Sequence, residues 1–277
     1  MSKGKLRAIK KRIESTASTM QITRAMEMVA RAKINKVQKG LGFIRLYELS
    51  MNRALKKAYF GLETKPQTSG EGTLLLVVTS DMGLAGAFNS EILKLAESQM
   101  KKHPVKHVAA VGVKAETFFK TQSVTMTGYS HFYDTPDLDE AGIIADDIID
   151  IMESKGIMEL RMVYSNFRNA IAQLPKVEKL LPVENFQRDE RDVFDYEPHV
   201  EELYEDLLYS WVVSKILLGL YETRVGELYA RQNAMKNATE NAKNMIEKLT
   251  LVRNKLRQSN ITQEIIEVVN GAEALNG

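Results

Sequence analysis

Two proline-free stretches bracket this chain, and they constrain its fold more than any other feature. Residues 2–59 hold no proline and only three glycines, Gly4, Gly40 and Gly42. Leu6, Ile9 and Ile13, and later Ile34, Val37, Leu41 and Ile44, recur three or four residues apart, as one helix face requires. Between the two groups the apolar residues fall at Ile22, Met26 and Val29, which predicts one long helix whose contact stripe changes phase. From Glu201 onward there is again no proline. There Met235, Ala238, Ala242, Met245, Leu249, Val252, Leu256 and Ser259 step by three and four, the a/d spacing of a coiled-coil seam. Helices of about 55 and about 70 residues would reach roughly 80 Å and 105 Å at 1.5 Å per residue. Two such helices most simply pair with each other, antiparallel. The N-terminal one, being shorter, is expected to run out before "RQSNITQEIIEVVNGAEALNG" (residues 257–277), leaving that tail as a single apolar helix.

The middle of the chain has a different period. "GLETKPQTSGEG" (61–72) is a breaker-rich linker. "TLLLVVTS" (73–80) reads as a strand buried on both faces, followed by a glycine-bearing turn and the helix "SEILKLAESQMKK". "VKHVAAVG" (105–112) reads as a strand and "KAETFFKTQ" as a short helix. "DEAGIIADDIIDIMESKG" (139–156) reads as an acidic amphipathic helix, and "MELRMVYSNF" and "AIAQLPKVEKLLPV" as strands. Alternating strands and helices predict an α/β domain. The charged stretch "QRDERDVFDYEPHV" then connects to the last helix. The expected organisation is a helix over 1–60, an α/β domain over 61–200 and a helix over 201–277.

Composition narrows the chemistry. The absence of cysteine excludes disulfides, thiolate metal sites and a cysteine nucleophile, and fits a reducing compartment. No apolar run approaches the ~20 residues of a membrane span. The basic start lacks the apolar core of a signal peptide. The net charge of +2 conceals a split: residues 1–60 hold 15 Lys/Arg against 3 Asp/Glu, and residues 61–200 hold 14 against 22. A basic arm beside an acidic middle implies an acidic partner for the arm.

Candidate chemical sites each have a plainer reading. "TSDMGLAGAFN" lies between a strand and a helix, where nucleotide folds put a phosphate loop, but it matches neither G-x-G-x-x-G nor the P-loop pattern. A tight turn that needs glycine explains it. His103, His107, His131 and His199 lack paired ligand spacing and read as surface residues. Asp146 and Asp147 lie on a helix with Asp139, Glu140, Asp150 and Glu153, which reads as a solvated acidic face. No catalytic residue, metal site or cofactor is expected.

"MQITRAMEMVARAKI" (20–34), "LLLVVTSDMGLAGAFN" (74–89), "NAMKNATENA" (233–242) and "RQSNITQEIIEVVNGAEAL" (257–275) together resemble the gamma subunit of F-type ATP synthases, in order along the whole chain. The last segment is similar to the family's C-terminal signature at Ile261, Thr262, Glu264, Glu267, Gly271, Ala272 and Ala274. The resemblance implies an antiparallel coiled coil of the terminal helices with an inserted Rossmann-like α/β domain that binds no nucleotide. It further implies a rotor without an active site, inside a hexamer of alpha and beta subunits and in contact with the epsilon subunit and the membrane ring of c subunits. Ion flow through the ring would drive it. Arg257 and Gln258 match positions that hydrogen-bond one alpha/beta pair, and Thr262 and Glu264 match polar positions of the same tip. Met26 lies in the stretch that approaches the moving part of beta. Arg31 and Lys33, by their charge, are expected to face its acidic lever.

The lack of cysteine departs from plastid members, which carry a regulatory dithiol insert. The start of the chain favours a bacterial protein, peripheral on the cytoplasmic side of the membrane. Two competing readings stand beside the rotor. One is a nucleic-acid-binding or scaffolding coiled coil built on the basic arm, whose lysines and arginines could neutralise phosphates. The other is a small nucleotide-dependent enzyme built on residues 73–183.

Overall fold

The computed structural model describes residues 2–64, 70–132, 135–183, 186 and 199–276. Most of the charged connector at 187–200 and the middle of the 61–72 linker lie outside the described residues, as does the side chain of Ala274. The elements in order are α1 (Ser2–Gly61), β1 (Thr73–Val78), α2 (Phe88–Lys102), β2 (Val105–Val111), α3 (Val113–Phe119), β3 (Met126–Tyr129), α4 (Leu138–Lys155), β4 (Glu159–Phe167), β5 (Gln173–Leu181) and α5 (Val200–Asn276). The two long helices and the α/β middle therefore match expectation. The strand β3 had no forecast: four residues that include Gly128 carry too little pattern to read.

The chain divides into two units, residues 30–231 and residues 1–29 with 232–277. In the larger unit, the described strands form one sheet in the order β3-β2-β1-β4-β5. All neighbours are parallel except β4 and β5, which form an antiparallel pair. Central β1 is buried at every position, as a strand covered on both faces must be. Its alternating side chains divide two cores. Leu75 and Val77 pack with Val108, Ala110, Ile92 and Phe119 under α2 and α3. Leu74, Leu76 and Val78 pack with Ile144 and Ile148 of α4, Leu55 of α1, and Ile216, Leu217 and Leu220 of α5. The second core joins the sheet to the two long helices. Here those helices are antiparallel: Asn52 pairs with Trp211, Glu48 with Lys215, Arg45 with Glu222 and Gln38 with Tyr229.

Two glycines permit close approaches. Gly219 of α5 lies where a Cβ would sit 2.7 Å from Met162 Sδ, so the helix rests directly on β4. Gly112, at φ 88°, turns the chain from β2 into α3, where a Cβ would fall 2.4 Å from Thr79 O.

The expectation of surface histidines is corrected at His107, and the acidic face of α4, which is largely exposed, also makes contacts within the fold. His107 is 3% exposed, with Nε2 3.0 Å from Thr127 Oγ1 and Nδ1 2.9 Å from Lys155 Nζ. Its place on β2 faces it inward, which an isolated histidine in a short apolar run does not reveal. Asp147 accepts the Tyr129 hydroxyl at 3.0 Å and Asp146 accepts the Tyr209 hydroxyl at 2.7 Å. The acidic pair thus ties α4 to β3 and to α5, besides offering charge to solvent.

In the smaller unit, α1 and α5 bury facing stripes. On α1 the stripe runs through Leu6, Ile9, Ile13, Met20, Thr23 and Met26, without the expected change of phase. Thr23 is 8% exposed, whereas Ile22 and Val29 are 61% and 57% exposed. On α5 the stripe keeps Met235, Ala238, Ala242, Leu249 and Leu256, but its second row is Ile246, Arg253 and Asn260. Met245, Val252 and Ser259, forecast for that row, are exposed. Both rows repeat every seven residues beside the same residues Ala242, Leu249 and Leu256, so spacing alone allows either. The partner lies on the side that carries Arg253 and Asn260, and hydrophobicity points to the wrong neighbour.

Candidate partner-contact surfaces

Past Asn260, α5 has no buried or half-buried position through Ala272. Ile261 is 49% exposed, Ile265 57%, Ile266 53%, Val268 71% and Val269 50%. Ile261, Ile265, Val268 and Ala272 follow one another at three or four residues and so share a face. Fully burying such a side chain contributes about 1.5–3 kcal/mol, so a bare aliphatic row of this kind is a surface built to be covered.

The polar residues of the tip are arranged locally. Thr262 Oγ1 donates to Gln258 O at 3.0 Å, back along its own helix. Gln263 Nε2 donates to Glu267 Oε1 at 3.0 Å. Arg257, Gln258 and Glu264 are exposed, and a Cβ on Gly271 would meet nothing within 4 Å. The spacing of the signature is therefore not demanded by packing inside this chain. It leaves Arg257 and Gln258 presenting hydrogen-bonding groups outward.

Met26 is half-buried on the α1 stripe. The more exposed apolar residues of that stretch are Ile22, Met28 and Val29, and Met28 is 60% exposed. Sequence reading did not single out Met28; its exposure follows from the unshifted stripe. Arg31 and Lys33 of the larger unit are exposed, and the Lys33 charge acts on buried Glu227.

The loop after β1 sits at the carboxyl edge of the sheet, where open α/β folds hold ligands. Here the chain's own groups occupy it. Asp81 Oδ1 accepts the Val113 amide of α3 at 3.0 Å. Ser80 and Asn89 bond to each other, and Arg231 of α5 donates to the carbonyls of Gly83 at 3.2 Å and Met82 at 3.4 Å. Among the described residues no cluster of metal-ligating side chains occurs, and no helix is long and apolar enough to cross a membrane.

The family model described as ATP synthase matches residues 5–275. The ATP synthase gamma chain of Moorella thermoacetica is 35% identical over 98% of this chain and 99% of its own length. That of Exiguobacterium sibiricum is also 35% identical, over 97% and 98%. Among solved structures, a chain of the Euglena gracilis mitochondrial ATP synthase, in an OSCP/F1/c-ring assembly, aligns with a TM-score of 0.72 at 19% identity. That alignment covers 98% of this chain and 95% of the other. The central stalk of the Tetrahymena thermophila enzyme aligns with a TM-score of 0.63 at 22% identity, over 78% and 99%. These two likenesses speak to the fold, and the sequence relatives to the family. A helix pair with a bare α5 tip, an α/β domain filled by its own side chains, and relatives a third identical over nearly their whole length lead to one conclusion: the chain belongs to the ATP synthase gamma chains.

Proposed function

We propose that this chain is a non-catalytic rotor that turns inside a hexamer of alpha and beta subunits and receives torque through contacts with an epsilon subunit and a ring of c subunits. The observation that carries the reading is the α5 tip, where residues 261–272 are exposed and five of them are Ile or Val. A helix left without its partner in this way needs walls from elsewhere, and the socket of a hexamer supplies them. Arg257 and Gln258 would grip one alpha/beta pair, with Thr262 and Glu264 beyond them. Met26, together with the exposed Met28, would slide over the moving part of beta, because a thioether adapts to changing surfaces. Arg31 and Lys33 would face beta's acidic lever. Ion flow would turn the rotor at the cytoplasmic face of a bacterial membrane, with the chain held there through the complex. An asymmetric rotor gives each beta subunit a different environment, and a differential interaction of about 1.4 kcal/mol changes a nucleotide affinity tenfold.

The test is co-expression with alpha and beta subunits, using the full chain and a chain cut after Leu256. The full chain should yield a hexameric ATPase that depends on it. The cut chain should lose coupled turnover or assembly while its α/β domain keeps its fold. Normal coupling by the cut chain would overturn the tip assignment.

A further inference from the structure

Along α5, polar side chains penetrate the larger unit at three successive levels. At the first, Lys215 Nζ lies 2.6 Å from Glu48 of α1 and 2.9 Å from Glu178 of β5. Glu178 also accepts the Tyr164 hydroxyl at 2.9 Å and Lys176 at 2.7 Å. Seven residues on, Glu222, 3% exposed, accepts Arg45 Nη2 of α1 at 2.6 Å and Asn166 Nδ2 of β4 at 2.7 Å. Arg45 Nη2 also donates to Phe167 O of β4 at 2.7 Å. At the third level Glu227, fully buried, pairs with Arg224 at 2.9 Å and with Arg231, whose other nitrogen holds the loop carbonyls of Met82 and Gly83. Between the second and third levels, Thr223 Oγ1 accepts the Ser165 amide of β4 at 3.1 Å.

Stability alone does not account for these groups. Replacing a buried ion pair by apolar residues of similar volume is often neutral or stabilising, because desolvation offsets the attraction. Apolar contact is also non-directional, so a helix can slip along or roll on an apolar face at modest cost. The three levels behave otherwise. Moving α5 by one residue means a shift of about 1.5 Å and a turn of about 100°. Such a movement carries Lys215, Glu222 and Arg231 away from their partners on α1, the sheet and the loop after β1 at once, while the Arg224–Glu227–Arg231 pairs within α5 move together. Glu222, itself 3% exposed, is then a buried carboxylate left unpaired, which is costly.

We propose that Lys215, Glu222 and the Arg224–Glu227–Arg231 cluster form a polar key that locks the α/β domain to the long helices, so that torque entering the domain reaches the helices without slip. The proposal rests on the rotor reading. In it these are positioning residues, each acting through the register of α5 on the sheet.

The test uses the full chain assembled into the ATP synthase, in ion-tight vesicles. The triple variant Lys215→Met, Glu222→Gln, Arg231→Met removes the charges while keeping side-chain bulk. ATP hydrolysis per assembled complex should stay within twofold, while ions pumped per ATP against an opposing gradient should fall at least threefold. Amide exchange at Ser165 in the full chain should quicken at least tenfold. A covalent bypass comes from the packing: a Cβ on Gly226 would lie 3.1 Å from Ser165 Oγ, about the span between one sulfur and the far Cβ of a disulfide. Since the chain has no cysteine of its own, Ser165→Cys with Gly226→Cys adds a single cross-linkable pair to the triple variant. Oxidation should restore the pumping ratio and reduction should abolish it again. An unchanged pumping ratio and unchanged exchange in the triple variant would overturn the key. Should the triple variant not assemble, Glu222→Gln alone is read by the same two measurements, and unchanged values there overturn it equally. A wild-type complex whose ATPase does not require this chain would refute the rotor reading itself, and leaves the exchange result to judge the key.

Discussion

The hydroxyls of Thr23 and Thr239 lie 2.8 Å apart between α1 and α5 in the smaller unit. Thr239 also lies 2.9 Å from Met235 O and Thr23 lies 3.1 Å from Met20 O. Each hydroxyl has one proton, so one of the two donates along its own helix while the other donates across the pair, and either can take either part. This polar contact sits in the stripe that apolar residues were expected to fill, and it explains why Ile22 and Val29 turn outward.

The pair should therefore be coupled energetically. Thr23→Val or Thr239→Val should each destabilise the full chain by about 1 kcal/mol. The double variant should cost clearly less than the sum, since two valines leave no orphaned hydroxyl. A double-mutant cycle on thermal unfolding checks this, and additive costs would show that the two hydroxyls do not interact.

Arg257→Ala should leave the isolated chain as stable as before, within about 0.5 kcal/mol, because the side chain is exposed. In the assembled complex ATPase turnover should fall roughly tenfold, the effect of losing a charge-assisted hydrogen bond of about 1.5 kcal/mol in the rate-limiting state. Unchanged turnover would remove Arg257 from the contact surface.

His107 predicts a pH response. Burial and then the nearby Lys155 charge lower its pKa from 6.5 to about 4. Between those values the unfolded chain binds a proton that the folded chain does not, so stability falls as pH drops from about 6.5 to about 4. His107→Gln should flatten this part of the curve, as read by unfolding midpoints at a series of pH values. An equally steep loss in the variant would assign the response to other groups.

The two long helices and central β1 were legible because they rest on local signals: no proline, three-and-four spacing, and an unbroken run of β-branched and leucine residues. The phase of the helix pair was not, because Thr23, Arg253 and Asn260 are polar and their neighbours Ile22 and Val252 are apolar. Which side faces the partner is a tertiary decision. The contacts of Glu222 were equally hidden, since Arg45 stands 177 residues away in the chain. The tip is a mixed case. Its apolar character and its lack of a helix partner follow from pattern and length, whereas the roles of Arg257 and Gln258 came only with the resemblance.

Two glycines should respond very differently to the same substitution. At Gly112 an added methyl meets Thr79 O at 2.4 Å, and the backbone holds φ at 88°, a region that costs a residue with a side chain about 1–3 kcal/mol before any clash. That carbonyl cannot retreat cheaply, because β1 and β2 are bonded there: Thr79 N donates to Val111 O at 2.9 Å, and Thr79 Oγ1 accepts the Ala115 amide at 2.8 Å. Gly112→Ala should therefore destabilise the full chain by more than about 2 kcal/mol. At Gly219 the added methyl meets Met162 Sδ and Cε, the far end of a flexible side chain that can shift. The substitution there also recovers about 1 kcal/mol of helix propensity within α5. Gly219→Ala should thus lie within about 1 kcal/mol of the parent. Thermal unfolding of both variants decides the matter, and a Gly219 variant as damaged as the Gly112 one would mean that Met162 is held too firmly by β4 to move.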